Sequence, residues 1–377
     1  MANTFLTLKE IARQALPRLI ENLVFPNLCY RDFSDDFRNL GDTIQVRKPA
    51  VFTAEEFDPE KGVNYQDFAE DAVDVTLNHL ATVDARASAI ESATCIDDLN
   101  RSFIEPAAAA LAEKINADGM QLYKDISNFT GVPGQTPADL KLLADVRRMM
   151  NQNKVPMAGR CAVWDTEADA AFAQIPALIN AEKCGSCEAL REGAIGRVYG
   201  MDNYMSQGVC RHSVGSAISS GCALKADGGA KAGDAFIHVD GGAGSETLEA
   251  GDLFTVGGVS YSVAKKCEFA SGEGDVYVSG GVKQDIPDDA ELVCVGSAET
   301  PVYTNNLAFH PMAFAYVTRP LINPDGQGVA SYVTSYNGVT LRVTKGYDQQ
   351  YKRSIYSMDV LYGFKTVYPE LAVRALG

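Results

Sequence analysis

Two cysteines three positions apart, Cys184 and Cys187 in Cys-Gly-Ser-Cys, come nearest in type and spacing to redox or metal chemistry. A structural zinc site needs four nitrogen or sulfur ligands in tetrahedral reach. No second cysteine pair has that spacing, and His79, His212, His238 and His310 stand alone, so the remaining ligands are missing from the pattern. A thioredoxin-like pair would follow an apolar strand, whereas Asn180-Ala181-Glu182-Lys183 precedes this one. The pair is read as two thiols in a flexible loop. The glycine-rich stretches 228–233 and 241–244 do not fit the phosphate-binding pattern G-x-x-x-x-G-K-[ST] and are read as turns. There is no G-x-S-x-G elbow and no H-E-x-x-H, and nothing in the sequence singles out a carboxylate pair. No catalytic, metal-ligating or cofactor-binding residue is therefore assigned, and the chain is read as a non-enzyme without a cofactor.

The chain has 377 residues, long enough for two or three domains or for one large domain with insertions. Apolar residues make up 46% and charged residues 22%, a globular balance that excludes wholesale disorder. A formal net charge of −16 disfavours dedicated DNA or RNA binding, because it lacks the basic excess that neutralises phosphates. No apolar run approaches the roughly eighteen residues that cross a bilayer, and the N-terminus lacks a signal-peptide pattern, so no membrane is implied and a cytoplasm is expected. Nine scattered cysteines, an odd number, point to reduced thiols.

The elements follow from spacing. Thr7 with Glu10 forms a capping box, after which Leu8, Ile11, Ala12, Ala15, Leu16, Leu19, Ile20 and Leu23 fall on one helical face. Pro17 interrupts it, predicting a kink or two short helices. Such a stripe docks on its own domain or on a neighbouring subunit. Residues 43–51 and 73–77 read as the arms of a long β-hairpin. Between them Glu55, Glu56, Asp58, Glu60, Asp67, Glu70 and Asp71 face only Lys61 as counterweight. A second capping box, Ser102 to Glu105, opens the longest helix, expected over 106–126. Helices are expected from Thr136 to about residue 151 and over 167–179, with a buried strand at 160–164 between them, an α+β order.

From about 208 to 300 the composition shifts, and this quarter of the chain holds 17 of the 33 glycines. Short strands are expected at 235–239, 253–256, 259–263, 276–278 and 292–295, as in a small barrel or sandwich. Ala-Gly-Asp-x-Phe occurs at 232–236 and again at 250–254, read as two similar turns entering strands. Beyond it, Asn337-Gly338 signals a type I′ hairpin, Val339, Leu341 and Val343 share a face, and a strand is expected over 355–364. The C-terminal region gathers Arg342, Lys345, Lys352, Arg353, Lys365 and Arg374 against Asp348, Asp359 and Glu370, a basic tail that could meet the acidic loop.

A helical arm, a long charged hairpin, a spine helix, an α+β domain and a return to strands together resemble the HK97-like major capsid protein of tailed bacteriophages. Local wording also resembles the branch that carries an inserted β-barrel domain: Met1-Ala-Asn-Thr-Phe-Leu-Thr, Asn22-Leu-Val-Phe, Gly41-Asp-Thr-Ile with Arg47-Lys-Pro, residues 151–156, and Ala189-Leu-Arg-Glu-Gly-Ala-Ile-Gly-Arg. The resemblance implies an N-terminal arm (1–40), an extended loop (41–80), a peripheral domain (81–130 with 331–377), an axial domain (131–207 with 301–330) and an inserted β-barrel domain (208–300). Cys184 and Cys187 have no counterpart in that pattern.

What the resemblance implies for function is a structural subunit that self-assembles as hexamers and pentamers into an icosahedral head. That head encloses double-stranded DNA without sequence-specific contact and is assembled in the bacterial host cytoplasm. Scaffolding, portal and decoration proteins would be its partners. Intersubunit contacts are expected from the arm stripe (Leu8, Ile11, Leu16, Leu19), from the extended loop (Glu55, Glu56, Glu70, Asp71), and from Arg342, Lys352 and Arg353. Two other classes stay open: an adhesin binding carbohydrate through 208–300, and a thiol oxidoreductase using Cys184 and Cys187.

Overall fold

The computed structural model describes residues 8–31, 44–47, 72–88, 104–137, 139–179, 193, 195–324, 329–351 and 353–377. The fold is α+β, with two larger sheets, several small ones, and helices packed against them. The arm is one helix, Leu8–Asn22, with Pro17 inside it rather than two pieces. Pro17 is exposed, so the carbonyl it leaves unpaired faces water instead of the core. Thr7 lies outside the described residues. Ile11, Ala12, Ala15, Leu16 and Leu19 are buried against the spine helix, Glu105–Met120, and the strands Val329–Tyr336 and Val339–Asp348.

The spine helix spans about 24 Å at 1.5 Å per residue. It stops short of the expected 126 and tightens into a 3-10 turn, Gln121–Asp125. Asn116, buried on its apolar stripe, accepts from the amides of Val24 (3.1 Å) and Phe25 (3.2 Å) and donates to the Asn22 carbonyl (3.1 Å). It thereby supplies partners to the chain where the arm helix ends. Phe25 then enters an aromatic cluster with Phe309, Phe314 and Phe364. Gly119 makes room for it, because a Cβ there would lie 2.5 Å from the Phe25 ring.

The first large sheet is antiparallel, in the order Phe314–Arg319, Arg353–Thr366, Val339–Asp348, Val329–Tyr336, with His79–Ser88 on the other flank of Arg353–Thr366. Its hairpin turns at Asn337 and Gly338, both at positive φ (51° and 73°), as a type I′ turn requires. Val339, Leu341, Val343, Met358 and Val360 face the two helices and are buried. The sequence pattern gave no strand over His79–Ser88, because the inward residues there include the small Ala81 and Ala85 and the period-two signal is faint.

The hairpin roots, Ile44–Arg47 and Ala72–Val75, pair antiparallel in the expected place. Val73, Val75 and Leu77 pack on Ala315, Val317 and Val367, on the far face of the sheet from the helices. Residues 48–71, with the acidic run, lie outside the described residues.

The second large sheet runs Phe129–Gly131, Ala372–Leu376, Val302–Phe309, Cys161–Trp164, Met201–Met205, Arg197–Val198, and Arg211–Ser213 pairs with the start of Val302–Phe309. Cys161–Trp164 is wholly buried, as expected of that segment. Helix Leu140–Gln152 covers the sheet with Leu143, Val146 and Met150, beginning after Asp139 rather than at Thr136. The next helix, Thr166–Phe172, is capped by Asp165, whose Oδ1 accepts from the Ala168 amide at 3.0 Å. It ends earlier than the expected 179, and Pro176–Ile179 forms a separate turn with proline at its first position.

Within 208–300 the expected strands appear to within one or two residues: Phe236–Asp240, Leu253–Val256, Val259–Ser262, Gly274–Tyr277 and Val293–Cys294. They belong to small sheets that share one apolar core, including Ile237, Val239, Phe254, Tyr261 and Val276. The two Ala-Gly-Asp-x-Phe copies fold alike. Gly233 and Gly251 sit at φ 99° and 102°, and Asp234 and Asp252 each accept from the amide three residues back, at 2.7 Å.

Candidate assembly surfaces and the buried joint

Beyond the pairing of Arg211–Ser213 with Val302–Phe309, the glycine-rich segment is fastened to the body by a buried polar network. The 3-10 turn after the spine helix presents Tyr123 and the carbonyls of Lys124 and Asp125; the C-terminal strand supplies Arg374; the segment itself supplies His212, Gly251, Asp252 and Ser262. Arg374 is fully buried. Its Nη1 donates to the Gly251 carbonyl at 2.7 Å, and its Nη2 donates to the Lys124 carbonyl (3.1 Å) and to Ser262 Oγ (2.7 Å). Its guanidinium lies 5.1 Å from the centroid of the Tyr123 ring. Ser262 and Ser279 donate to the Lys124 and Asp125 carbonyls, and Lys283 donates to Ser127 at 2.7 Å.

Tyr123, His212 and Asp252 form a chain: Tyr123 Oη to His212 Nδ1 at 2.9 Å, and His212 Nε2 to Asp252 Oδ1 at 2.8 Å. A neutral imidazole protonated on Nε2 satisfies both bonds, donating to Asp252 and accepting from Tyr123. Such a chain has the composition of an acid–base relay. Here both ring nitrogens are occupied, and Asp252 Oδ2 already accepts from the amides of Gly215 and Glu249. His212 and Asp252 are 3% and 1% exposed, so the relay meets no substrate and acts as a joint.

The subunit carries a pH dependence to which the joint contributes through Tyr123. Burial pushes Tyr123 up to about 12 and raises Tyr303, Tyr316 and Tyr362 as well. A phenol whose folded value is raised contributes stability that is complete below its unfolded value of about 10 and is lost as pH climbs toward the folded one. Burial pulls Arg374 down to about 10, which has the opposite sign and offsets only part of the effect of four phenols. The urea midpoint is expected to stay level from neutrality to about pH 10 and to fall from about 10 to 12, with Tyr123→Phe reducing the fall. A midpoint that stays level through pH 12 would contradict this assignment.

The residues expected at subunit contacts are placed as follows. Ile11, Leu16 and Leu19 are buried in the chain's own core, and Leu8 stands in the first turn of the same helix. The face this arm leaves open carries Lys9, Arg13, Pro17 and Glu21. Arg342 donates through Nε (2.9 Å) and Nη2 (2.7 Å) to Asp359 of its own sheet. Arg353 lies over the Tyr351 ring, 5.6 Å from its centroid. Glu55, Glu56, Glu70, Asp71, Lys352, Cys184 and Cys187 lie outside the described residues. Sequence reasoning missed Asn116, Arg374 and the His212–Asp252 pair. A polar residue on an apolar helical stripe was the available signal for Asn116, and an arginine inside the apolar run of Ala372–Leu376 was that for Arg374.

No family model matches the sequence, and no curated protein matches it. Solved structures do. A chain from Mycobacterium phage Che8 aligns with a TM-score of 0.52 at 17% identity, covering 94% of this chain and 90% of that one. A capsid structure of the Cyanophage P-SCSP1u gives 0.48 at 12% identity, covering 94% and 87%. A structure from Mycobacterium phage Ogopogo gives 0.48 at 10% identity, covering 94% and 91%. The Che8 likeness shows a shared fold over nearly the full length of both chains.

Proposed function

We propose that this chain is the major subunit of an HK97-like icosahedral phage head that encloses double-stranded DNA. The observation that carries this reading is the fold shared with the Che8 phage chain across 94% of the present one. The architecture supports it physically. A shell subunit needs repeated contacts spread over its surface rather than one deep pocket, with closed symmetry fixing their geometry. In this reading 1–40 is the N-terminal arm, 41–80 the extended loop, 81–130 with 331–377 the peripheral domain, 131–207 with 301–330 the axial domain, and 208–300 an inserted β-barrel domain. The copies form hexamers and pentamers with scaffolding, portal and decoration proteins as partners, and the head assembles in the host cytoplasm.

The extended loop is the proposed clasp, and its acids meet a basic surface of a neighbouring copy. Arg342 already has Asp359, so Arg353 at the start of its strand, and Lys352 beside it in the sequence, are the better candidates for Glu55, Glu56, Glu70 and Asp71. Reversing Glu70 and Asp71 to lysine is expected to raise the protein concentration needed for assembly about tenfold, equivalent to about 1.4 kcal/mol per contact. Pelleting of particles across a concentration series reads this, and an unchanged threshold would remove the loop from the contact.

A further inference from the structure

Among the described residues outside the joint, helix Leu140–Gln152 carries a pair of adjacent arginines with little carboxylate to answer them. One face of that helix and the facing turn at Tyr199 border an open cleft of about 470 Å³, lined by Ala144, Arg147, Arg148, Asn151, Gln152 and Tyr199. Arg148 donates to Gln152 Oε1 at 3.2 Å and reaches Asp145 at 3.5 Å. Among the described residues Arg147 makes no hydrogen bond or ion pair. Behind them Arg160 is 3% exposed, and its guanidinium donates to Asn151 Oδ1 (2.8 Å), the Pro156 carbonyl (2.9 Å) and the Val155 carbonyl (2.6 Å). Those acceptors are neutral. Arg147 and Arg148 therefore line the cleft beside Asn151, whose oxygen is held by the buried Arg160, with Asp145 as the one carboxylate in ion-pair reach of them among the described residues. This happens in a chain of net charge −16.

The turn opposite adds a second, independent observation. Tyr199 and Gly200 join Arg197–Val198 to Met201–Met205 at φ 49° and 82°, a conformation that favours Asn-Gly and disfavours a residue with a large side chain. A tyrosine held there at a conformational cost is a reason to look for a role of its ring.

We infer that this cleft binds the phosphodiester backbone of the nucleic acid enclosed by the shell, an inference that rests on the capsid reading. Arginine forks match phosphate oxygens bidentately. The Asn151 amide nitrogen is left to donate because its oxygen is taken by Arg160, and Tyr199 offers a ring to the sugar edge of the backbone. The cleft is shallow and open to solvent, which suits a polymer carrying a charge at each repeat rather than an enclosed small anion. Each copy binds weakly against the chain's overall negative charge, and a surface repeating the cleft multiplies the effect.

The test is fluorescence anisotropy of a short labelled DNA duplex with the full-length protein over a salt series. The double variant Arg147→Ala/Arg148→Ala is expected to lose at least tenfold in affinity. The slope of log K against log salt should flatten by about 2, close to 0.9 for each phosphate contact removed. The charge-preserving Arg147→Lys/Arg148→Lys pair should retain most of the binding. Equal affinity and slope in wild type and double alanine variant would overturn the inference. So would displacement by a peptide of residues 55–71 that duplex DNA cannot match, which would make the cleft a seat for acidic protein. Particle formation is scored separately by sedimentation: particles without arginine-dependent DNA binding sink this inference and leave the shell standing, while arginine-dependent binding without particles does the reverse.

Discussion

Arg374→Met is expected to remove a large share of the subunit's stability, about 3–5 kcal/mol out of the roughly 5–15 typical of a folded domain. The side chain is fully buried, and three acceptors, the Gly251 and Lys124 carbonyls and Ser262 Oγ, depend on its two terminal nitrogens. Methionine of similar length fills the space but leaves those acceptors with fewer donors, at about 1–3 kcal/mol for each group left unsatisfied. Lysine should recover only part, because one ammonium cannot span acceptors fixed for a planar fork. The acceptors belong to the spine-helix turn and to the glycine-rich segment, while Arg374 belongs to the strand Ala372–Leu376. Trp164, the chain's one tryptophan, is buried in the same sheet and reports urea unfolding directly. An unchanged midpoint in Arg374→Met would mean that the network does not hold the two parts together.

Gly363→Val should act on assembly more than on folding. A Cβ at Gly363 would collide with the Thr76 carbonyl oxygen and lie 3.3 Å from the Leu77 Cα, both backbone atoms, so the segment leaving the hairpin root must shift. That shift lifts Val75 from Ala315, Val317 and Val367 and moves the base from which the extended loop projects. The expected cost is about 1–3 kcal/mol of subunit stability, with particle yield falling to background while circular dichroism stays near that of wild type. Gly346→Ala is the control on the same sheet: its nearest neighbour would be Val329 Cγ2 at 3.9 Å, an ordinary contact, and it should assemble normally. Equal particle yields from Gly363→Val and Gly346→Ala would detach the hairpin root from assembly.

What could be read from the sequence was what local chemistry determines. The type I′ turn at Asn337-Gly338, the short strands of the glycine-rich segment and the paired hairpin roots each depend on a few adjacent residues, and they stand where the pattern put them. Ends of helices were less legible. Asp165 caps the helix Thr166–Phe172 because its carboxylate reaches the Ala168 amide, a position settled by geometry within one residue. The spine helix tightens at Gln121, which directs the Lys124 and Asp125 carbonyls toward Ser262, Ser279 and Arg374; the reason lies more than a hundred residues away in the chain. The joint was invisible for the same cause. His212 and Asp252 are forty positions apart, and Tyr123 is eighty-nine from His212, separations at which no periodicity operates. The arm stripe was legible as a stripe, and both readings of where it docks came from the sequence; its burial beneath the sheet is a fact of packing.

The capsid account is tested most directly by electron microscopy of the expressed protein, alone and with its neighbouring genes. The account predicts closed shells, or curved sheets of hexamers, in which each subunit's density matches the two sheets and the spine helix described above. A monodisperse monomer or small oligomer under both conditions would contradict it.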